Sequence, residues 1–272
     1  MIATIIPEKK MHYPVMLNEV INIISPLYGG TFIDCTFGQG GYSYEILKNK
    51  KNKVIALDRD VESEKIAKKF KLKFGKRFEF IHSKFSDIGE ALVNKKELKG
   101  IIYDLGFSLN QINNQEKKIS FKSKGPLDMR LGINDCSANE VIHKFSEKNL
   151  SRIFKIFGEE KMHKVIAKKI IKDREQSILL TEDLVRIIDA IKRKKNQKIH
   201  SSTKVFQSLR IFVNKEISEL IYSLINGFNI LPIGGVMIVV TFHSLEDKIV
   251  KFFFKNYSEE KNLSRYLPKK KN

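Results

Sequence analysis

Three stretches of the chain carry residue types that could do chemistry together. Phe32-Ile-Asp-Cys-Thr-Phe-Gly38-Gln-Gly40-Gly41 is a short apolar run opening into a glycine-rich turn, where backbone can approach a nucleotide-type ligand closely. Asp58 ends the next apolar run 20 residues after Gly38, where an acid can accept hydrogen bonds from ribose hydroxyls. Together they imply an adenosine-containing cofactor. Ser43 stands where a third glycine would complete a dinucleotide fingerprint, and no Gly-Lys-Ser/Thr is present, so a pyrophosphate ligand is disfavoured and S-adenosylmethionine, which carries none, is favoured. Tyr103-Asp104-Leu-Gly-Phe-Ser108 then leads to Gln111, setting a carboxylate and an amide beyond a later apolar run. A carboxylate there could sit near a cationic sulfonium or accept a hydrogen bond from an amine being methylated. The plainer readings are a tight turn, a solvated acid and a strand-ending turn residue.

These groups need elements to hold them. Thr31–Phe37, Lys53–Asp58, Phe78–His82 and Gly100–Asp104 read as four strands, with helices expected after the glycine turn and from about Val61 to Lys73. Repeated strand-then-helix units ending in small or acidic residues predict a doubly wound α/β sheet whose ligands bind outside the strands' carboxyl ends. From about Asn113 to His200 the alternation stops. Helical spacing is expected over Glu140–Phe157, over Lys161–Arg174 and from Thr181, a residue type suited to capping. The strand pattern resumes after a long amphipathic helix, Thr203–Ile225, with Gly235-Val-Met-Ile-Val-Val-Thr241, the most β-branched run and the best candidate for a central strand. A last helix from Leu245 to about Tyr257 follows a capping-box pattern at Ser244. The expected organisation is therefore a cofactor-binding domain from 1–112 and 200–272, interrupted at 113–199 by a helical insertion.

Composition narrows the class. A net charge of +19 on 272 residues points to an anionic partner, nucleic acid being the usual one, although 41 Lys against 9 Arg also has the look of AT-rich coding. Divided along the chain, the excess is +5 for 1–112, +9 for 113–199 and +5 for 200–272, so it concentrates in the insertion. Leu231–Phe242, the longest apolar stretch, is far short of the roughly 20 residues a bilayer span needs. Neither a secretory leader nor a cysteine framework is evident, Cys35 and Cys136 lying far apart, so a cytoplasmic location is expected. The six histidines lack metal-ligand spacing and no metal is expected. Asp128 and Arg130 could contact RNA or pair with each other, and Lys192-Arg-Lys-Lys195 could bind phosphate or form a solvated helix end.

Several longer motifs occur in one order: His12-Tyr-Pro-Val-Met-Leu-Asn-Glu19, Asp34-Cys-Thr-Phe-Gly-Gln-Gly-Gly41, Ala56-Leu-Asp-Arg-Asp60, Gly125-Pro-Leu-Asp-Met-Arg130, Phe157-Gly-Glu-Glu160, Phe206-Gln-Ser-Leu-Arg-Ile-Phe-Val-Asn214 and Thr241-Phe-His-Ser-Leu-Glu-Asp247. Over about residues 10 to 257 this set resembles the bacterial 16S ribosomal RNA cytosine-N4 methyltransferases. The resemblance implies an S-adenosylmethionine-dependent enzyme with a Rossmann-like sheet, an inserted substrate-recognition domain, and the small ribosomal subunit or its RNA as partner. It implies cofactor contacts at Gly40, Gly41, Tyr42, Asp58, Phe85, Asp104 and Gln111, with Asp104 also catalytic and His243 near the target base. Tyr42 replaces the usual His, and Ser108-Leu-Asn-Gln111 replaces Ser-Ser-Pro-Gln. The resemblance also implies a basic segment beyond the last helix that supplies sheet-edge structure, which a chain ending at Asn272 would lack. Two other readings remain: a non-catalytic RNA-binding assembly factor that kept the fold, and a nicotinamide-dependent oxidoreductase, against which the missing third glycine counts.

Overall fold

The computed structural model describes residues 14–89, 97–106, 125–131, 136–174, 180–192 and 200–258. Five parallel strands form one sheet: β1 Gly30–Asp34, β2 Asn52–Asp58, β3 Phe78–His82, β4 Leu98–Asp104 and β5 Val236–Val240, in the order β3-β2-β1-β4-β5. The order reverses direction at β1. The crevice between the carboxyl ends of β1 and β4 is therefore the topological switch point where such sheets bind ligands.

The strand sequences are continuous apolar runs because both faces are covered. Helices α1 Leu17–Ile24, α2 Gly41–Leu47 and α3 Val61–Phe74 pack on one face over Phe32, Val54, Ala56 and Ile102. The other face, with Ile33, Ile55, Leu57, Ile101 and Tyr103, is covered by two later helices described below. Alternate residues of each strand thus enter alternate cores, as a two-residue side-chain period requires. The expected doubly wound sheet is what forms, with one correction. Among the described residues β5 is an edge strand, bonded to β4 alone, and all five of its residues are only partly buried. Its β-branched sequence specified a strand but not a position, and the centre belongs to β1.

The helical region is built from α4 Ala138–Lys144, α5 Glu147–Gly158, α6 His163–Asp173, α7 Thr181–Ile191 and α8 Thr203–Val213. They enclose a separate core that includes Leu127, Met129, Ile142, Phe154, Ile166, Ile188, Phe206 and Leu209. The single helix expected over Glu140–Phe157 is broken at Phe145–Ser146, both extended, where the Ser146 hydroxyl accepts the Asn149 N–H and starts a new helix. The helix expected over Thr203–Ile225 is likewise two, α8 and α9 Glu216–Ile230, separated at Asn214 and by Lys215 with φ +52°. Thr181 is not a cap. Its hydroxyl is buried without a hydrogen-bond partner, and Asp183 instead accepts the Leu180 N–H. Helices α9 and α10 Ser244–Ser258 return to the sheet and supply Leu220, Leu224, Val250 and Phe253 to its second core. No described helix is long and apolar enough to cross a membrane.

Candidate active site at the switch point

The glycine turn is held from below by β2. Gly38 N–H donates to Asp58 Oδ2 at 2.7 Å, and Gly40 N–H closes the turn on the Phe37 carbonyl at 2.7 Å. Gly40 has φ +76°, and a Cβ there would lie 2.5 Å from the Phe70 ring and 2.8 Å from Phe37, so both backbone and packing require glycine. Gly41 is the first residue of α2.

Asp58 does more than face a ligand. Oδ2 also accepts from Ser63 Oγ at 2.8 Å, and Oδ1 accepts the Asp60 N–H at 2.8 Å. The carboxylate thereby ties the glycine turn, β2 and the start of α3 together and keeps one acceptor direction on Oδ1 for an outside donor. Burial raises its pKa above the ordinary range, opposed by these hydrogen bonds. Tyr42, predicted as a ligand contact, is a buried member of the first core, and its hydroxyl donates to the Val15 carbonyl. Burial raises its pKa, and the charges of Asp104, Asp34 and Glu19 add to the effect.

Phe85 lies just past β3 and is fixed by α9 rather than by the strand. Its carbonyl accepts from Ser223 Oγ at 2.8 Å, the Ser86 carbonyl accepts from Asn226 Nδ2 at 2.9 Å, and Lys84 and Ser86 both engage Glu219. The Phe85 ring meets Tyr103 edge-on, with centroids 6.3 Å apart. Gln111 lies outside the described residues.

At the switch point itself stand two acids. Asp34, at the end of β1, is fully buried and accepts from Ser43 Oγ at 2.6 Å and from the Thr36 N–H at 3.3 Å. Asp104, at the end of β4, donates its N–H to Thr36 Oγ1 at 2.7 Å, while its Oδ1 is buried with no hydrogen-bond partner. Burial pushes the Asp34 carboxyl up to about 6, and burial together with the Asp34 charge pushes Asp104 up to about 7. Asp34 was not singled out from sequence. Its place at a strand end, equivalent to that of Asp104, was the available signal.

The rim is formed by the segment after β5. Leu105 N–H bonds the Val240 carbonyl, and Phe242 is half exposed with its ring against Gly106. The helix cap there is His243, not the Ser244 of the expected capping box: His243 Nδ1 accepts the Glu246 N–H at 3.3 Å, while Glu246 Oε2 accepts the Phe242 N–H at 3.1 Å. Glu216, His243 and Glu246 bring possible metal-ligand atoms within 4.8 Å of one another. Their bonding argues against a metal. Because Nδ1 accepts a backbone N–H, a neutral ring carries its proton on Nε2, and Glu216 is already held by Arg210 through two contacts of 2.9 and 3.0 Å.

Asn214, at the α8–α9 break, joins the helical core to this edge. Its side chain donates to the Met129 carbonyl at 2.8 Å and accepts the Leu131 N–H at 2.7 Å, while its own carbonyl receives Arg59, the neighbour of Asp58, at 3.5 Å. Nothing local in the sequence signals this bridge, whose partners lie more than 80 residues apart. The segment it grips contains Met129, buried at φ +61°, and the pair Asp128–Arg130, bonded to each other at 2.6 and 3.0 Å. Of the two readings of that pair, mutual pairing is what forms. Lys192 is also consumed internally. It lies almost fully buried against Glu160 and donates to the Ser201 carbonyl at 2.8 Å, so it is not a free phosphate ligand; residues 193–195 lie outside the described residues.

The match to known proteins covers all of this machinery. Residues 9–272 fit the profile of the MraW methylase family. The chain belongs to that family. It is 42% identical over 259 residues to the ribosomal RNA small subunit methyltransferase H of Rhizobium meliloti (strain 1021), covering 94% of this chain and 75% of that protein. The protein of the same name from Rickettsia massiliae (strain Mtu5) is 42% identical over 250 residues, covering 92% of this chain and 81% of its own length.

Proposed function

We infer that the protein transfers a methyl group from S-adenosylmethionine to the N4 amine of a cytosine in 16S ribosomal RNA. The observation that carries the reading is Asp104: a desolvated carboxyl at the switch point of a methylase-family sheet, with an oxygen left unpartnered where the other buried acids among the described residues are bonded. That free acceptor, the close-packed glycine turn and the spare lone pair of Asp58 fit the acceptors and close backbone that a cationic adenosyl ligand needs. S-adenosylmethionine, when bound, supplies an electrophilic methyl group on a cationic sulfur.

Gly40 and Gly41 let backbone approach that ligand, Asp58 has an acceptor for a ribose hydroxyl, and Phe85 offers a ring held in place by α9. Tyr42 and Gln111 complete the proposed contacts, Tyr42 chiefly by packing. Asp104 aligns the amine and accepts a hydrogen bond from it. An exocyclic amine is a poor nucleophile because its lone pair is delocalised into the ring, so orientation and acceptance of its proton are the contributions a side chain can make. The base must be unpaired or flipped to reach the crevice.

In this reading segments 1–112 and 200–272 hold the cofactor, and the insertion at 113–199, which shares its core with α8, meets the RNA of the small subunit in the cytoplasm. The non-catalytic assembly-factor reading is set aside, because the chain belongs to a family of methylases and keeps the unpartnered acid. Tritium transfer from labelled S-adenosylmethionine to small subunits lacking the modification, followed by nucleoside analysis, tests the proposal. Label in N4-methylcytidine is expected, and label on a ring carbon, on protein or nowhere overturns it.

A further inference from the structure

The helical unit carries its charge unevenly. On α5, Lys148, Arg152 and Lys155 are exposed, and Lys161, Lys164, Lys168 and Lys172 are exposed along α6 and the turn before it. Steps of three and four residues put each set on one helix face. The two helices are joined side by side, with Ser151 Oγ 2.7 Å from His163 Nδ1. Among the described residues none of these seven cations forms an ion pair. Glu147, at the start of α5, pairs with none of them, and the other acids nearby are engaged elsewhere: Glu159 by Ser244 and Lys248, Glu160 by Lys192, and Asp173 by Lys169. Ile156, Met162 and Val165 stay partly exposed among the cations.

Other basic helices differ. On α3, Lys65 pairs with Glu62, Lys71 donates to the Phe78 carbonyl, and Lys73 sits over the Tyr44 ring. The exposed side of α7 carries Glu182 and Asp183. Lys68 and Lys69 of α3 are also exposed and outside any ion pair among the described residues, so the α5–α6 face is distinguished by its length, seven cations across two adjacent helices, among the described helices.

The row also has a direction. Its Lys155–Lys161 end flanks Glu159, which bonds Ser244 at 3.1 Å in the first turn of α10, and α10 follows Phe242, whose ring lies on Gly106, two residues beyond Asp104. From that end, the α6 lysines Lys164 to Lys172 extend away over roughly 12 Å, taking 1.5 Å per helical residue.

Resting on the methyltransferase reading above, we propose that this α5–α6 face is the track on which the RNA phosphate backbone lies, leading one strand towards the catalytic edge. Lysines on a flexible stem recognise phosphate as point charges without selecting sequence, and the exposed apolar residues between them accommodate sugar edges. The docking charge thus lies on α5–α6, not at Lys192.

Binding of a fluorescent small-subunit RNA fragment to the full chain, measured between 50 and 200 mM KCl, tests the track. The variant Lys161→Gln/Lys164→Gln/Lys168→Gln/Lys172→Gln removes exposed charges, and Lys68→Gln/Lys69→Gln on α3 serves as a charge control. Four lost phosphate contacts predict that the slope of log K against log salt becomes shallower by about 3, at roughly 0.7–0.9 per contact, while the α3 variant keeps the wild-type slope. Calorimetric S-adenosylmethionine binding and thermal midpoint are expected to stay unchanged in both. An unchanged slope in the α6 variant, an equal change per charge in the two variants, or no RNA binding by the wild type overturns the track. So does competition by polyglutamate matching that by RNA at equal charge, which would point to an acidic protein instead. RNA binding that responds as predicted in a protein that never transfers methyl would overturn the enzymatic reading and leave the track standing.

Discussion

At the carboxyl edge of the sheet two acids, Asp34 and Asp104, are taken out of water, whereas on α5–α6 seven cations stand in it. The first arrangement makes each charge expensive and therefore informative: burial above all, with the Asp58 charge acting on Asp34 and the Asp34 charge on Asp104, lifts the two carboxyls to about 6 and about 7, so a proton or a cation at this point matters. The second makes each charge cheap. Exposed cations add little to folding, and their effect emerges only when many meet a polyanion and release its counterions. In the proposals above, few buried charges serve chemistry and many solvated ones serve docking.

The buried ion pair Glu160–Lys192 offers the strongest test of that contrast, because it places a buried charge inside the helical unit. Glu160→Gln, which strands a nearly buried ammonium, is expected to lower unfolding free energy by about 3 kcal/mol in urea titration, while Glu159→Gln, at an exposed pair, lowers it by less than about 1 kcal/mol. Equal effects would erase the distinction. Asp104→Asn is next: if Asp104 accepts the amine's proton as proposed, single-turnover methyl transfer should slow about a hundredfold or more, with the fold intact by circular dichroism.

A smaller effect sharpens the sheet side. A cation bound beside Asp104 favours its ionised form, so S-adenosylmethionine affinity should rise by up to about tenfold per pH unit towards pH 7, then level off, and the dependence should flatten in Asp104→Asn. The folded protein without ligand has the opposite trend. Because the folded pKa values of Asp34 and Asp104 exceed the unfolded value near 3.8, their contribution to stability is fully present below that value and is lost as pH rises through about 6 to 7. Denaturant midpoints between pH 4 and 8 check the sign. The smallest effect belongs to the exposed face, where Lys164→Gln should change unfolding free energy by no more than about 0.5 kcal/mol while still making the salt dependence of RNA binding slightly shallower.

Much of the sheet could be read from the chain because apolar runs and the turns ending them are local. All five strands formed within a few residues of their expected bounds, and the acids at their ends mark the switch point. Breaks in long amphipathic patterns were harder. Phe145–Ser146 and Asn214–Lys215 keep the apolar spacing of a continuous helix, and the interruption depends on a serine cap in one case and on a bridge from Asn214 to Met129 and Leu131 in the other. Ser244 looked like the cap of α10, yet His243 takes that part because Glu246 reaches back to the Phe242 N–H beside it.

The sequence alone determined the class of fold, the glycine turn with Asp58 in register, and the concentration of positive charge in the insertion, since periodicity, strand-end chemistry and charge density are properties of short segments. Tertiary structure decided what those segments mean to one another. The Asp104 carboxyl is pushed up to about 7 because the fold buries it and, to a lesser degree, because the charge of Asp34 at the end of neighbouring β1 acts on it. Lys192 drops out as a docking charge because Glu160 meets it in the interior, while the α5–α6 lysines remain available because no acid among the described residues pairs with them. Burial and partner identity are products of long-range packing, and they determine whether a charged residue does chemistry, holds the fold or waits for an anion.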